Sequence, residues 1–137
     1  MIKKIAIITS GGDSQGMNAT IRSVVRTADY NNIECLGFYR GYQGLIEDDS
    51  IELGLRSVSK ILGLGGTFLK SARSVDFFDK AQREKAYNNL KAHGTDALVV
   101  IGGNGSMTGG NVFSEDFDFP VVGIPASIDN DIYGTDN

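Results

Sequence analysis

The stretch Lys4-Ile5-Ala6-Ile7-Ile8-Thr9-Ser10-Gly11-Gly12-Asp13-Ser14-Gln15-Gly16-Met17-Asn18 decides the fold. Residues 5–9 form a short β-branched run bounded by Ser10-Gly11-Gly12-Asp13, which reads as a buried strand ending in a loop. Beyond the loop, Met17, Ile21, Val24, Val25 and Ala28 recur at helical spacing, with Arg22 and Arg26 on the other side of the wheel. Glycines at such a strand-to-helix junction let backbone N–H groups and the helix N-terminus face a phosphate without side-chain obstruction. The loop has no P-loop lysine and does not keep the G-x-G-x-x-G spacing, so taken alone a plain turn stays open.

Outward from this unit the pattern alternates. Residues 33–39 read as a second strand, followed by a glycine-punctuated connection, Arg40-Gly41-Tyr42-Gln43-Gly44-Leu45. A small strand is expected within 47–56, a short helix over 57–62, and a loop over 65–73. Residues 79–93 form a polar helix with Ala86, Tyr87 and Leu90 facing inward, closed by Gly94. The opening unit then repeats: a strand at 97–101, the loop Gly102-Gly103-Asn104-Gly105-Ser106, and a weak helix over 107–113. A last strand at 121–124 runs into a loop over 125–131. Strands alternating with helices predict an α/β fold, a Rossmann-like parallel sheet sandwiched by helices with right-handed crossovers.

The 137 residues fit one domain, and 41% hydrophobic with 22% charged residues is ordinary for a soluble globular chain. A net charge of −4 argues against nucleic acid or an anionic membrane as partner, so an anionic ligand needs local features to hold it. Eighteen glycines against two prolines suggest many tight turns where backbone approaches something closely. The single cysteine, Cys35, permits no internal disulfide and no cysteine zinc cluster, and it reads as a small buried hydrophobe. There is no signal-peptide pattern at the start and no apolar run long enough for a membrane span. The expected setting is the cytoplasm.

In open parallel sheets, ligands bind outside the carboxyl ends of the strands. Three strand ends carry suggestive loops here, over 10–16, 102–106 and 125–131. In the second, glycine admits close approach and Ser106 offers a hydroxyl to a phosphate oxygen. The third contains Ser127-Ile128-Asp129-Asn130-Asp131, where alternating carboxylates suit a general base and a metal anchor. A solvated polar loop with an Asx turn explains that run equally simply. Arg73 is a candidate for neutralising phosphate charge, against the common case of a solvated surface arginine.

Together these segments resemble a known family. Thr9-Ser10-Gly11-Gly12-Asp13 with Gly16-Met17-Asn18-Ala19, Gly65-Gly66-Thr67-Phe68-Leu69 with Ser71-Ala72-Arg73, Ala97-Leu98-Val99-Val100-Ile101-Gly102-Gly103, and Ile128-Asp129-Asn130-Asp131-Ile132 with Gly134-Thr135-Asp136 look like bacterial-type ATP-dependent 6-phosphofructokinases. The similarity runs in order over essentially the whole chain. It implies transfer of the γ-phosphoryl of ATP, with Mg²⁺, to the 1-hydroxyl of fructose 6-phosphate in glycolysis. It assigns ATP contacts to Gly12, Arg73, Ser74, Gly103, Asn104, Gly105 and Ser106, and places Tyr42 beside the adenine. Ser127, Ile128 and Asp129 would touch the sugar, with Asp129 as catalytic base. Arg22 and Arg26 match an allosteric effector site for ADP or phosphoenolpyruvate.

Several positions depart from the family pattern. Asn104 stands where the family has its metal-binding aspartate, which predicts weakened Mg²⁺ handling and reduced turnover. Ser14-Gln15 replaces Ala-Pro, and Ser127 replaces threonine while keeping a hydroxyl. Leu55 and Lys60 take the places of a further effector-site arginine and an aspartate. Residues 1–137 are expected to be the N-terminal nucleotide-binding domain of a longer chain, tetrameric when complete and inactive as an isolated piece. Two other readings remain: a pyrophosphate-dependent phosphofructokinase, against which Gly105 speaks, and a nucleotide-binding module without catalysis.

Overall fold

A computed structural model of the protein describes residues 1–10, 15–59, 68–70 and 74–125, with the side chains of Gln15 and Asn104 outside that description. Five strands form one sheet: β1 (Lys4–Ser10), β2 (Glu34–Phe38), β3 (Ser50–Leu53), β4 (Ala97–Gly102) and β5 (Val121–Pro125). Their spatial order is β3-β2-β1-β4-β5. All neighbours pair in parallel except β2 and β3, which are antiparallel. The expected parallel sheet therefore has one antiparallel edge, which the short connection from β2 permits because no crossover is needed.

The centre of the sheet is dictated by sequence. Every residue of β4, and every residue of β1 after Lys4, is buried, and two-sided burial demands an unbroken apolar run instead of an alternating one. Period-two geometry divides these side chains between two layers. Ile5, Ile7, Val99 and Ile101 meet Met17, Ile21, Val25 and Ala28 of helix α1 (Gln15–Tyr30), together with Val58 of α3 (Leu55–Val58). Ala6, Ile8, Leu98 and Val100 meet the other layer, built by α2 (Gly41–Glu47), α4 (Lys80–Ala92) and α5 (Asn104–Phe117). Completely buried aliphatic side chains such as Ile7, Ile8 and Leu98 each contribute roughly 1.5–3 kcal/mol.

The elements differ from expectation in three instructive places. The Arg40–Leu45 connection is the start of α2: tertiary burial of Tyr42, Leu45 and Ile46 overrides the poor helix propensity of its glycines. Helix α5 begins at Asn104 and runs to Phe117, longer at both ends than its apolar pattern suggests. The described part of α3 starts at Leu55, two residues before the expected helix, while residues 60–67 lie outside the description. Helix α4 matches its reading, with Asp79 accepting from the Ala81 amide at its start and Gly94 at φ 76° after its end.

Two polar ties fix the frame. Asp96 accepts from the backbone amides of Lys3 and Lys4, and its own amide donates to the Lys4 carbonyl, so the β1–β4 register is set at its first residues. Those two amides hold the Asp96 carboxyl below its ordinary value. Its contribution is therefore present above the ordinary carboxylate range and lost as pH falls through the lowered value. On the other side, Arg83 of α4 reaches Asp116 of α5 at 2.7 Å and donates to the Phe77 carbonyl at 2.9 Å. Both charged side chains are largely buried, at 12% and 19% exposed.

Replacing Arg83 by alanine should lower stability by about 2 kcal/mol, because it strands a largely buried carboxylate as well as removing the bonds. The urea unfolding midpoint measures this. A loss under about 0.5 kcal/mol would reclassify the clasp as an ordinary surface pair.

Candidate functional site at the carboxyl rim

The register of the sheet brings three strand ends to one line. Ser10 of β1 is the Cα partner of Gly102 in β4, and Gly102 is in turn the partner of Pro125 in β5. The chain leaves all three strands at this rim. Since β1 sits between β2 and β4 while chain order runs β1, β2, β3, β4, the β1–β4 boundary is the point where strand order reverses. Crevices in open α/β sheets form at that point.

Gly102 shows why the rim is so narrow. A Cβ at this position would lie 2.0 Å from the Ser10 carbonyl oxygen and 2.9 Å from Ser106 Oγ. By contrast, a Cβ at Gly103 or Gly105 would meet no described atom within 4 Å. The first glycine closes the backbone against β1, and the other two keep the space above it clear.

Helix α5 opens at this spot with Gly103 as its N-cap, so no side chain accepts from the first turn. The first closing bond runs from the Met107 amide to the Gly103 carbonyl at 3.1 Å. The amides of Asn104, Gly105 and Ser106 thus have no intrahelical acceptor, and no acidic residue occupies the first turn. The helix dipole and these amides together favour an anion. Ser106 is itself buried, and its carbonyl accepts the Tyr42 hydroxyl at 2.5 Å.

Tyr42 ties that turn to a second part of the rim. Its ring is 6% exposed and stacks on Phe77, with centroids 4.1 Å apart and planes at 25°. One ring face is therefore occupied by Phe77, and what Tyr42 demonstrably gives the rim is a hydrogen bond. Phe77 belongs to a 3₁₀ turn, Asp76–Phe78, that follows Ser74 closely.

The segment carrying Ser71-Ala72-Arg73 is gripped on both flanks. Before it, the Thr9 hydroxyl donates to the Lys70 carbonyl at 2.8 Å, the Arg40 amide donates to the Leu69 carbonyl at 2.9 Å, and the buried Asn18 side chain accepts from the Phe68 amide. After it, Ser74 Oγ donates to Gln43 Oε1 at 2.9 Å. Residues 71–73 lie outside the description; the described residues 68–70 before them bond to β1, α1 and Arg40, and Ser74 after them bonds to α2.

Of the sequence-derived candidates, Gly103, Asn104, Gly105, Ser106 and Ser74 fall on or beside this rim. Gly12, Arg73, Ser127, Ile128 and Asp129 lie outside the described residues. Arg22 and Arg26 sit along α1, half-buried and exposed respectively, and neither engages a carboxylate among the described residues. Thr9 and Gln43 were not singled out from sequence. A threonine ending a strand and a glutamine on a short helix carry no signal until the fold places them against Lys70 and Ser74.

The family described as Phosphofructokinase matches residues 4–137. The ATP-dependent 6-phosphofructokinase of Staphylococcus carnosus is 57% identical over 136 residues, covering 98% of this chain and 42% of that protein. The ATP-dependent 6-phosphofructokinase 2 of Bacteroides thetaiotaomicron is 52% identical over 135 residues, covering 98% of this chain and 41% of that protein. A solved phosphofructokinase from Saccharomyces cerevisiae superposes with a TM-score of 0.87 at 36% identity, over 93% of this chain and 20% of that one. The chain thus spans about two fifths of the length of the curated relatives it matches.

The contrast between the rim glycines is testable. Gly102→Ala should cost about 1–3 kcal/mol through forced separation of β1 and β4, whereas Gly103→Ala should cost well under that. Denaturant midpoints of the two variants measure the difference, and equal midpoints would refute the close approach.

Proposed function

This chain belongs to the phosphofructokinase family, and on that premise we propose that it is the nucleotide-holding part of an ATP-dependent 6-phosphofructokinase. The observation that carries the reading is the alignment of Ser10, Gly102 and Pro125 on one rim, from which the three motif loops depart. In this reading the free amides of Asn104, Gly105 and Ser106 receive phosphate oxygens of ATP, with Gly12 approaching from the β1 loop. Arg73 neutralises charge on the phosphate chain. Ser127 and Ile128 hold fructose 6-phosphate, and Asp129 accepts the proton of its 1-hydroxyl as that oxygen attacks the γ-phosphorus. The bond to the β-phosphate oxygen breaks and ADP departs. Such chemistry needs chiefly positioning, charge stabilisation and one base.

Family membership also implies Mg²⁺. Among the described residues no group of three His, Cys, Asp or Glu gathers to hold a cation, and the described rim offers only neutral oxygens. These residues do not by themselves make a magnesium site, so no step is assigned to one. The cation's contribution, charge neutralisation on the triphosphate, is carried in with the nucleotide, since Mg²⁺ binds readily through substrate phosphates. Asn104, a neutral amide where the family has a carboxylate, favours a second reading in which the protein binds nucleotide without transfer. Arg22 and Arg26, which engage no carboxylate among the described residues, suit an anionic effector such as ADP or phosphoenolpyruvate.

A coupled assay for fructose 1,6-bisphosphate on the intact protein tests the main reading. Asp129→Asn should reduce kcat by at least about a hundredfold, and full activity in that variant would remove the base assignment. Asn104→Asp should raise turnover at limiting magnesium; identical rates for the two proteins across magnesium concentrations would refute the metal argument. ATP binding without product, even in Asn104→Asp, would select the non-catalytic reading.

A further inference from the structure

Helix α5 is a weak helix by composition, so its order at the rim has to come from its neighbours. Gly105, Gly109 and Gly110 all lie in its first half, and glycine is among the poorest helix formers. The N-cap, Gly103, supplies no side-chain acceptor. Two of these glycines have a spatial reason. A Cβ at Gly109 would lie 3.3 Å from the Tyr42 ring, and one at Gly110 would lie 3.4 Å from the Tyr42 hydroxyl oxygen and 3.0 Å from Val121. The bare backbone lets the tyrosine lie along the helix and donate to the Ser106 carbonyl. Ser106 is in the first turn, whose opening amides have no intrahelical acceptor.

The tyrosine is itself fixed from two directions. Its ring stacks on Phe77, and the far end of α2 is pinned by α4. There Asn89 Nδ2 donates to the Leu45 and Ile46 carbonyls at 2.8 and 3.2 Å, and His93 Nε2 lies 2.7 Å from Asp48 Oδ1. A phenol held in this way delivers its hydrogen bond at a set point. On the sheet side, Met107 is seated where Gly123 is bare, since a Cβ there would come within 2.1 Å of its sulfur. That apolar contact sets the distance of the turn from β5, and the Tyr42 bond adds direction.

We infer that Tyr42 is a positioning residue for the nucleotide's phosphates: through the Ser106 carbonyl it orients the first turn of α5, so that the amides of Asn104, Gly105 and Ser106 face one point. The inference rests on the nucleotide reading above and gives the tyrosine a role independent of the base, since Phe77 occupies one ring face and Ser106 takes the hydroxyl proton.

Calorimetric titration of the intact protein with magnesium ATP, and separately with inorganic tripolyphosphate, tests this. Tyr42→Phe keeps the ring and removes only the hydroxyl. It should weaken both ligands by the same factor, about three- to tenfold, and speed hydrogen exchange at the Met107 amide, whose bond to Gly103 closes the turn. Thr95→Val removes a buried hydroxyl bond of the same kind, to the Leu90 carbonyl ahead of β4 and away from the rim. It should lower the unfolding midpoint and leave both affinities unchanged. A loss confined to ATP would make Tyr42 a contact for the base, and wild-type affinities in Tyr42→Phe would leave the turn oriented without it; either overturns the inference alone. Equal losses in Thr95→Val would do the same, by reducing the effect to stability. So would a wild-type protein that holds ATP but not tripolyphosphate. A wild-type protein that binds neither ligand would overturn the nucleotide reading and the inference with it.

Discussion

The pairing of β1 with β4 is the constraint on which the remaining architecture depends. These two strands are adjacent in space but separated by more than eighty residues of chain, and six successive residue pairs join them from Ile5–Ala97 to Ser10–Gly102. Asp96 fixes the lower end of that ladder and the bare Cα of Gly102 permits the upper end. A slip of one residue would turn each apolar side chain to the opposite layer and misalign the loops above. The same register that sorts Ile7 and Ile8 into separate cores therefore also aligns the strand ends at the rim.

Around that axis, the functional loops are held by short polar contacts instead of by bulk packing. Three separate elements grip residues 68–70, and α2 contacts both the first turn of α5 and the 3₁₀ turn after Ser74, the latter also held by Arg83 of α4. Loops fastened by hydrogen bonds to rigid elements keep their geometry without burying side chains that a ligand would have to displace. Helix α2 is only seven residues long, so its position comes from Tyr42, Leu45 and Ile46 in the core and not from helical propensity.

Much of this was legible in the chain itself. The central strands announced themselves because two-sided burial leaves an uninterrupted apolar run, as in Ala97-Leu98-Val99-Val100-Ile101. The motif order gave the family, and the fold agreed. What sequence could not show was α2, whose glycines speak for a turn while its apolar residues answer to partners far away in the chain. The antiparallel edge at β3 was equally hidden, since four residues, of which only Leu53 is buried, carry no direction. Thr9, Asn18 and Gln43 illustrate a general limit: a residue that acts by bonding to someone else's backbone or side chain has meaning only once the neighbour is known.

The hydroxyl that Tyr42 lends to Ser106 has a consequence for how the rim responds to its surroundings. Burial pushes the acid strength of this phenol far down, raising its pKa well above the ordinary tyrosine value. A phenolate there would face a carbonyl oxygen and a stack of rings. The proton consequently stays in place below the ordinary tyrosine range and is surrendered only in strong alkali, as pH climbs through the raised value. This fastening is indifferent to acidity, so an acid load would leave the first turn of α5 anchored where it is.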